Sequence, residues 1–137
     1  MLKHPLFLTN FILVLIIGIL HISAMQFFLY WTFPWFDNLM HFLGGLWFGI
    51  FSIWFFFFSS VAKKFTLQLS ARNIFTVSIA SVIVIGVLWE IFEIYAGVLV
   101  FATDYPLDTS VDLLMDTLGA VTASLYAVWK FQRSKQI

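Results

Sequence analysis

The chain has 137 residues, of which 62% are hydrophobic, 20% aromatic and only 10% charged, with seven bases balancing seven acids. Its mean hydropathy of +1.00 excludes an ordinary water-soluble domain; an integral membrane protein is what remains. With no cysteine, disulfides and thiolate metal sites are excluded as well.

In chain order, residues 6–30 form an apolar run broken only by Thr9, Asn10, His21, Ser23 and Gln26, long enough to cross a bilayer core. Lys3 before such a stretch also fits a secretory signal, but the run exceeds a signal core and lacks a clean small-x-small cleavage site. The aromatic, proline-broken connection Trp31-Thr-Phe-Pro34-Trp35-Phe36 predicts a tight turn at headgroup level. A second span is predicted over about 37–60, ending in the block Phe55 to Phe58. After a polar loop with Lys63, Lys64 and Arg72, Asn73 is a candidate N-cap for a third span over 73–97. A loop from Val98 to Leu107 precedes a fourth span over about 108–130. The predicted fold is therefore a single all-α membrane domain, residues 1–137, built as a bundle of four transmembrane helices.

Every lysine and arginine lies at the N-terminus (Lys3), in the second loop (Lys63, Lys64, Arg72) or at the C-terminus (Lys130, Arg133, Lys135). Four spans put these regions on one side, and the positive-inside rule makes that side, with both termini, cytoplasmic. All the acids, Asp37, Glu90, Glu93, Asp104, Asp108, Asp112 and Asp116, fall towards the other side. The expected location is the cell membrane, as a multi-pass protein of the bacterial inner membrane. Trp31, Trp35 and Trp129 read as interface anchors.

The fourth span opens with Asp108-Thr-Ser-Val-Asp112-Leu-Leu-Met-Asp116, whose three carboxylates fall on one helical face. Three like charges that close stay ionised in a low dielectric only if something positive joins them; otherwise one or more takes up a proton. At about 1.5 Å per residue, His41, Glu93 and Asp112 lie about one turn inside their helix ends, and Glu90, Asp116 and His21 about two. An acid at the centre of a membrane helix costs about 3 kcal/mol on insertion scales, so the acids are expected to face one another rather than lipid. The small residues agree: Gly45 and Gly49 continue the His41 stripe, Gly86 and Gly97 flank Glu90 and Glu93, and Gly119, Ala120 and Ala123 continue the Asp116 stripe. Other readings compete residue by residue. Asp37 after the proline turn is a candidate N-cap, and Thr109 with Asp112 fits a capping box. Asp104 and Asp108 read as solvated loop acids, and His21 as a histidine hydrogen-bonded in the core.

Asp37-x-x-x-His41-Phe, the acidic third span, and Asp-Thr-x-x-Asp followed by Gly119-Ala120 resemble the YjdF-type inner-membrane proteins and, more loosely, the VanZ-like membrane proteins linked to glycopeptide resistance. The resemblance covers about residues 35 to 120. It implies a small polytopic fold in which Asp37, His41, Glu90, Glu93, Asp108 and Asp112 are the matching polar positions. Asp116 and the absence of an arginine before the last motif depart from that pattern.

The leading functional expectation is a buried site open to the extracytoplasmic side, binding a divalent cation (Mg, Mn, Zn or Fe) through Asp37, His41, Glu90, Glu93, Asp108, Asp112 and Asp116. Glu90 and Glu93, at i and i+3, can reach one centre. His41 and Glu90 are the candidate catalytic groups, and membrane lipids or a lipid-linked substrate the candidate partners. Proton or cation transport is the alternative, although the inner halves of the spans offer only hydroxyls such as Thr76, Ser78, Ser81, Thr122 and Ser124. A non-catalytic membrane scaffold held together by shared protons or an ion is the third.

Overall fold

The computed structural model describes residues 5–65, 67–97 and 105–134, which contain helices and turns. The helices are α1 (Pro5–Gln26), the short α2 (Leu29–Thr32), α3 (Trp35–Phe58), α4 (Ala71–Ala96) and α5 (Tyr105–Ser134), with a 3-10 turn at Ser60–Lys64. All except α2 are long and apolar enough to cross a membrane, so the chain is an all-α bundle of four transmembrane helices. The large apolar side chains on its outside, such as Ile19, Ile22, Val84 and Ile91, are what a helix facing lipid presents.

The boundaries differ from the predicted ones for local reasons. The first helix stops at Gln26 instead of running to residue 30, because Phe28 adopts a left-handed conformation (φ 57°) and the chain restarts as α2. A non-glycine residue there costs about 1–2 kcal/mol, which the aromatic packing around it offsets: Phe28 on Trp31, and Tyr30 edge-on against Phe36. Helix α4 begins before the expected cap. Ser70, not Asn73, is the N-cap, its Oγ accepting from the Asn73 backbone N–H at 3.2 Å, while the Asn73 side chain donates to the Gln68 carbonyl. At the other end Gly97, in the left-handed region at φ 67°, closes α4 with its N–H on the Glu93 and Ile94 carbonyls, the conformation in which glycine has no Cβ penalty. Helix α5 starts at Tyr105, so Thr109 and Asp112 lie inside a helix and form no capping box. Asp37 is in the first turn of α3, whose N-cap is Pro34 and has no side-chain capping bond.

Helices α3 and α5 form the centre, α4 packs on both, and α1 rests on the outer side of α3. At one end of the bundle Leu6, Ile50, Ile53, Trp54, Ile74, Ala123 and Ala127 make the apolar core. Towards the other end glycine replaces bulk. A Cβ on Gly45 would strike the Asp116 backbone, and one on Gly119 the Phe42, Gly45 and Leu46 backbone, so the two helices touch main chain to main chain. A Cβ on Gly49 would meet Ser78 Oγ at 2.7 Å and Ala123 Cβ at 2.8 Å, and Ser78 Oγ donates to the Ala120 carbonyl at 3.1 Å, tying α4 to α5.

This contact predicts a contrast between neighbouring glycines. Gly119→Val should lower stability by about 3 kcal/mol, since backbone cannot move aside as a side chain can. Gly44→Ala, where a Cβ meets nothing within 4 Å, should leave stability unchanged or raise it by up to about 1 kcal/mol through helix propensity. Unfolding midpoints in mixed micelles, followed by circular dichroism, check both.

Candidate functional site

The close approach of α3 and α5 brings the start of α3 alongside residues 112–116 of α5. Asp37 and His41 lie one turn apart on α3, Asp112 and Asp116 one turn apart on α5, and the glycines that allow contact follow His41 and Asp116 by a further turn. His41, Asp112 and Asp116 are buried, Asp112 to 1% exposure, and Asp37 is half-buried.

The imidazole stands between carboxylates. Its Nε2 is 3.8 Å from Asp112 Oδ2 and its Nδ1 is 3.6 Å from Asp116 Oδ1. Both separations exceed a hydrogen bond, so the groups face one another across a gap. Asp37, His41 and Asp112 each offer a ligand atom, all within 4.8 Å of one another. Adjacent ligand atoms on a metal bound at about 2.1 Å are about 3–3.5 Å apart, so the three side chains would have to draw together by about 1–2 Å to share one ion. Asp112 Oδ1 is buried without a hydrogen-bond partner, an arrangement that leaves an acceptor free for a cation. The described lysine and arginine side chains, Lys64, Arg72 and Lys130, all lie at the far end of the bundle.

Helix α4 adds a second layer. Glu90 is buried, and its Oε2 accepts from Thr109 Oγ1 at 2.7 Å, while its Oε1 has no partner. The Tyr105 hydroxyl reaches the Glu90 carbonyl at 3.5 Å. One turn along α4, a Cβ on Gly86 would meet Asp116 Oδ2 at 2.7 Å. The Gly86–Glu90 stripe is therefore in register with Thr109, Asp112 and Asp116.

The remaining predicted site residues stand apart from the cluster that gathers Asp37, His41 and Asp112. Glu93 is half-buried and accepts from the Trp89 indole N–H at 2.9 Å, so it turns along α4 instead of joining Glu90. Asp108 is half-buried in the first turn of α5, one turn before Asp112. Asp104, with the rest of the 98–104 loop, lies outside the described residues. His21 is exposed and pairs with Tyr30, its Nδ1 2.9 Å from the hydroxyl, rather than sitting in the core. Burial, with Asp37 and Glu93 adding to it, pushes the Tyr30 hydroxyl up to about 12, so the phenol stays protonated. Thr109 and Tyr30 were not among the expected site residues. Thr109 carries a signal in its spacing, one turn before Asp112 on the same face; Tyr30 lies outside the cluster, on the short helix α2 that follows the Phe28 break.

Thr109→Val should destabilise the protein by about 2 kcal/mol, because it leaves a buried carboxylate oxygen without its donor, whereas Thr109→Ser should stay close to wild type. Unfolding midpoints of the two variants, compared with an Asp-free control position such as Thr122→Val, measure the difference.

Searches of curated proteins and of solved structures give no match. A family described as "Predicted membrane protein (DUF2238)" matches residues 3–133, a stretch that includes all four spans and each residue of the cluster. The chain belongs to this family of membrane proteins.

Proposed function

We propose that the cluster is a divalent-metal centre, held by Asp37, Asp112 and His41 Nε2, opening to the acidic end of the bundle. The observation that carries this reading is the convergence of three ligand atoms from two helices within 4.8 Å, with no lysine or arginine among the described residues at that end to balance the carboxylates. Asp116 takes a different part from the one its sequence position suggests. Facing Nδ1 of the same imidazole, it acts as the outer carboxylate that fixes the tautomer and leaves Nε2 free to ligate. The donor set, carboxylate oxygens with one imidazole, suits Mg, Mn, Zn or Fe.

A metal bound there would supply Lewis-acid polarisation or an activated water. Glu90, oriented by Thr109 and with Oε1 free, is the group placed to take or give a proton beside it. The substrate class that fits is lipid-borne, because the cluster lies within reach of the leaflet at the acidic end. The basic end is cytoplasmic by the positive-inside rule, which puts the centre on the extracytoplasmic side of a bacterial inner membrane. The motif likeness to the YjdF-type and VanZ-like proteins supports the same placement. Transport finds less support: between the cluster and the basic end, the described faces of α4 and α5 carry only hydroxyls such as Ser78 and Ser124.

Elemental mass spectrometry of the detergent-purified protein, after incubation with manganese or zinc and desalting, tests the centre. One metal per chain is expected in the wild type, and none in an Asp37→Asn, Asp112→Asn double variant. Absence of metal from the wild type after both incubations would sink the proposal. Asp116→Asn should weaken affinity by about 10- to 100-fold without abolishing binding. Affinity should also fall as pH is lowered, since protons compete for the His41 ligand nitrogen.

A further inference from the structure

The connection between α3 and α4, residues 59–70, lies at the basic end of the bundle and is pinned to both spans. In its 3-10 turn, Ser60–Lys64, the Ala62 N–H donates to the Ser59 carbonyl, and the Phe65 N–H then donates to the Ala62 carbonyl. The Phe65 ring stands edge-on against Phe56 of α3 at a centroid distance of 4.9 Å. Residues 67–70 are not helical, and Asn73 holds them from α4. Its side-chain amide donates to the Gln68 carbonyl at 2.8 Å, and its backbone N–H to Ser70 Oγ at 3.2 Å.

This fixed stretch presents apolar and basic groups that the fold leaves unused. In Phe65-Thr-Leu67-Gln-Leu69-Ser every second residue is apolar, the period at which an extended chain puts side chains on one side. Phe65, Leu67 and Leu69 are 40%, 42% and 45% exposed. Lys64 and Arg72 flank them and are exposed too, while the described carboxylates all lie towards the other end of the bundle. Lys130, at the same end, contrasts with both. It is half-buried, its Nζ donates to the Tyr126 hydroxyl at 2.8 Å, and it lies 5.1 Å from that ring's centroid.

The lengths of the spans set the level of this surface. Helices α3 and α4 have 24 and 26 residues, about 36 and 39 Å at 1.5 Å per residue, against about 30 Å for the hydrocarbon core. Their joined ends therefore reach the layer of glycerol and phosphate. There an apolar side chain meets the first methylenes while a neighbouring base meets phosphate. A bias of bases to one side of a membrane orients a chain, but it requires neither the alternating apolar residues nor the fixed backbone between Lys64 and Arg72. We propose that Lys64, Phe65, Leu67, Leu69 and Arg72 form a docking surface for anionic phospholipid in the leaflet at the basic end. The two bases pair with the phosphate diester and the three apolar side chains enter the acyl boundary. A zwitterionic head carries its own ammonium beside the phosphate, so the surface selects a head of net negative charge. It lies at the end opposite the carboxylate–imidazole cluster and does not depend on metal there.

Native mass spectrometry of the full chain, released from detergent with dioleoyl phosphatidylglycerol or dioleoyl phosphatidylcholine at equal concentration, tests it. Each base at an anionic lipid surface is worth about fivefold in affinity, so the wild type should retain the phosphatidylglycerol at least about tenfold more strongly. Lys64→Gln with Arg72→Gln should lose that preference, whereas Lys64→Arg with Arg72→Lys and the single change Lys130→Gln should keep it. Leu67→Ser with Leu69→Ser should weaken both lipids alike. Lys64 and Arg72 are exposed, so the helical circular dichroism of their variants should match wild type, which separates lost binding from lost fold. Equal retention of the two lipids by the wild type, an undiminished preference in Lys64→Gln with Arg72→Gln, or an equal loss in Lys130→Gln would each overturn the proposal.

Discussion

The contact on which the rest of the structure depends is the one between the backbones of α3 and α5 at Gly45 and Gly119. In a membrane, helices gain no hydrophobic benefit from association, because lipid solvates apolar side chains as well as protein does. Van der Waals packing and interhelical hydrogen bonds carry the assembly. Small residues at the crossing maximise both, and the Ser78 to Ala120 bond ties α4 to α5 at the residue after Gly119. The separation of the two helices is set where a Cβ would collide with main chain. The side chains one turn away inherit that separation, which is why His41 ends between Asp112 and Asp116 instead of facing them across a wider cleft.

The placement of charge follows from the same seam. An ionisable group in a span is tolerated where it faces another polar group. Among the described residues, the glycines bring faces of α3, α4 and α5 together at the acidic end. Thr109 then has a structural reason for its type. Its hydroxyl, supplied by α5, satisfies one oxygen of a glutamate on α4 while introducing no further charge. Glu93 reaches the same end by another route, leaning on the indole of Trp89 where it is half-buried.

Much of this was legible in the sequence. The four apolar runs gave the spans, and the small-residue stripes gave the packed faces because glycine at helical spacing has few other reasons to occur in a membrane helix. Depth counted along each helix put His41, Glu93 and Asp112 about one turn inside their helix ends and Glu90 and Asp116 about two or more. What the sequence concealed depends on rotation and on long-range contact. Glu90 and Glu93 share an i, i+3 spacing, yet the rotation of α4 sends only Glu90 inward. Asn73 looked like a cap because asparagine often is one, but the chain turned helical at Ser70. The break at Phe28 has no glycine or proline to announce it and comes from the aromatic packing of Trp31, Tyr30 and Phe36.

The shallow position of the cluster has an electrical consequence. His41 is about 9 Å along a span of 24 residues, or about a quarter of its length. A cation reaching it from the acidic end would cross about a quarter of the membrane field. One elementary charge crossing the whole field is worth about 2.3 kcal/mol per 100 mV, so a divalent ion at this depth would feel about 1 kcal/mol. With the acidic end outside an energised membrane, that energy favours the bound state. Occupancy of the centre would then rise and fall with membrane potential by several-fold, and de-energising the membrane would loosen the ion without any change in the protein's own structure.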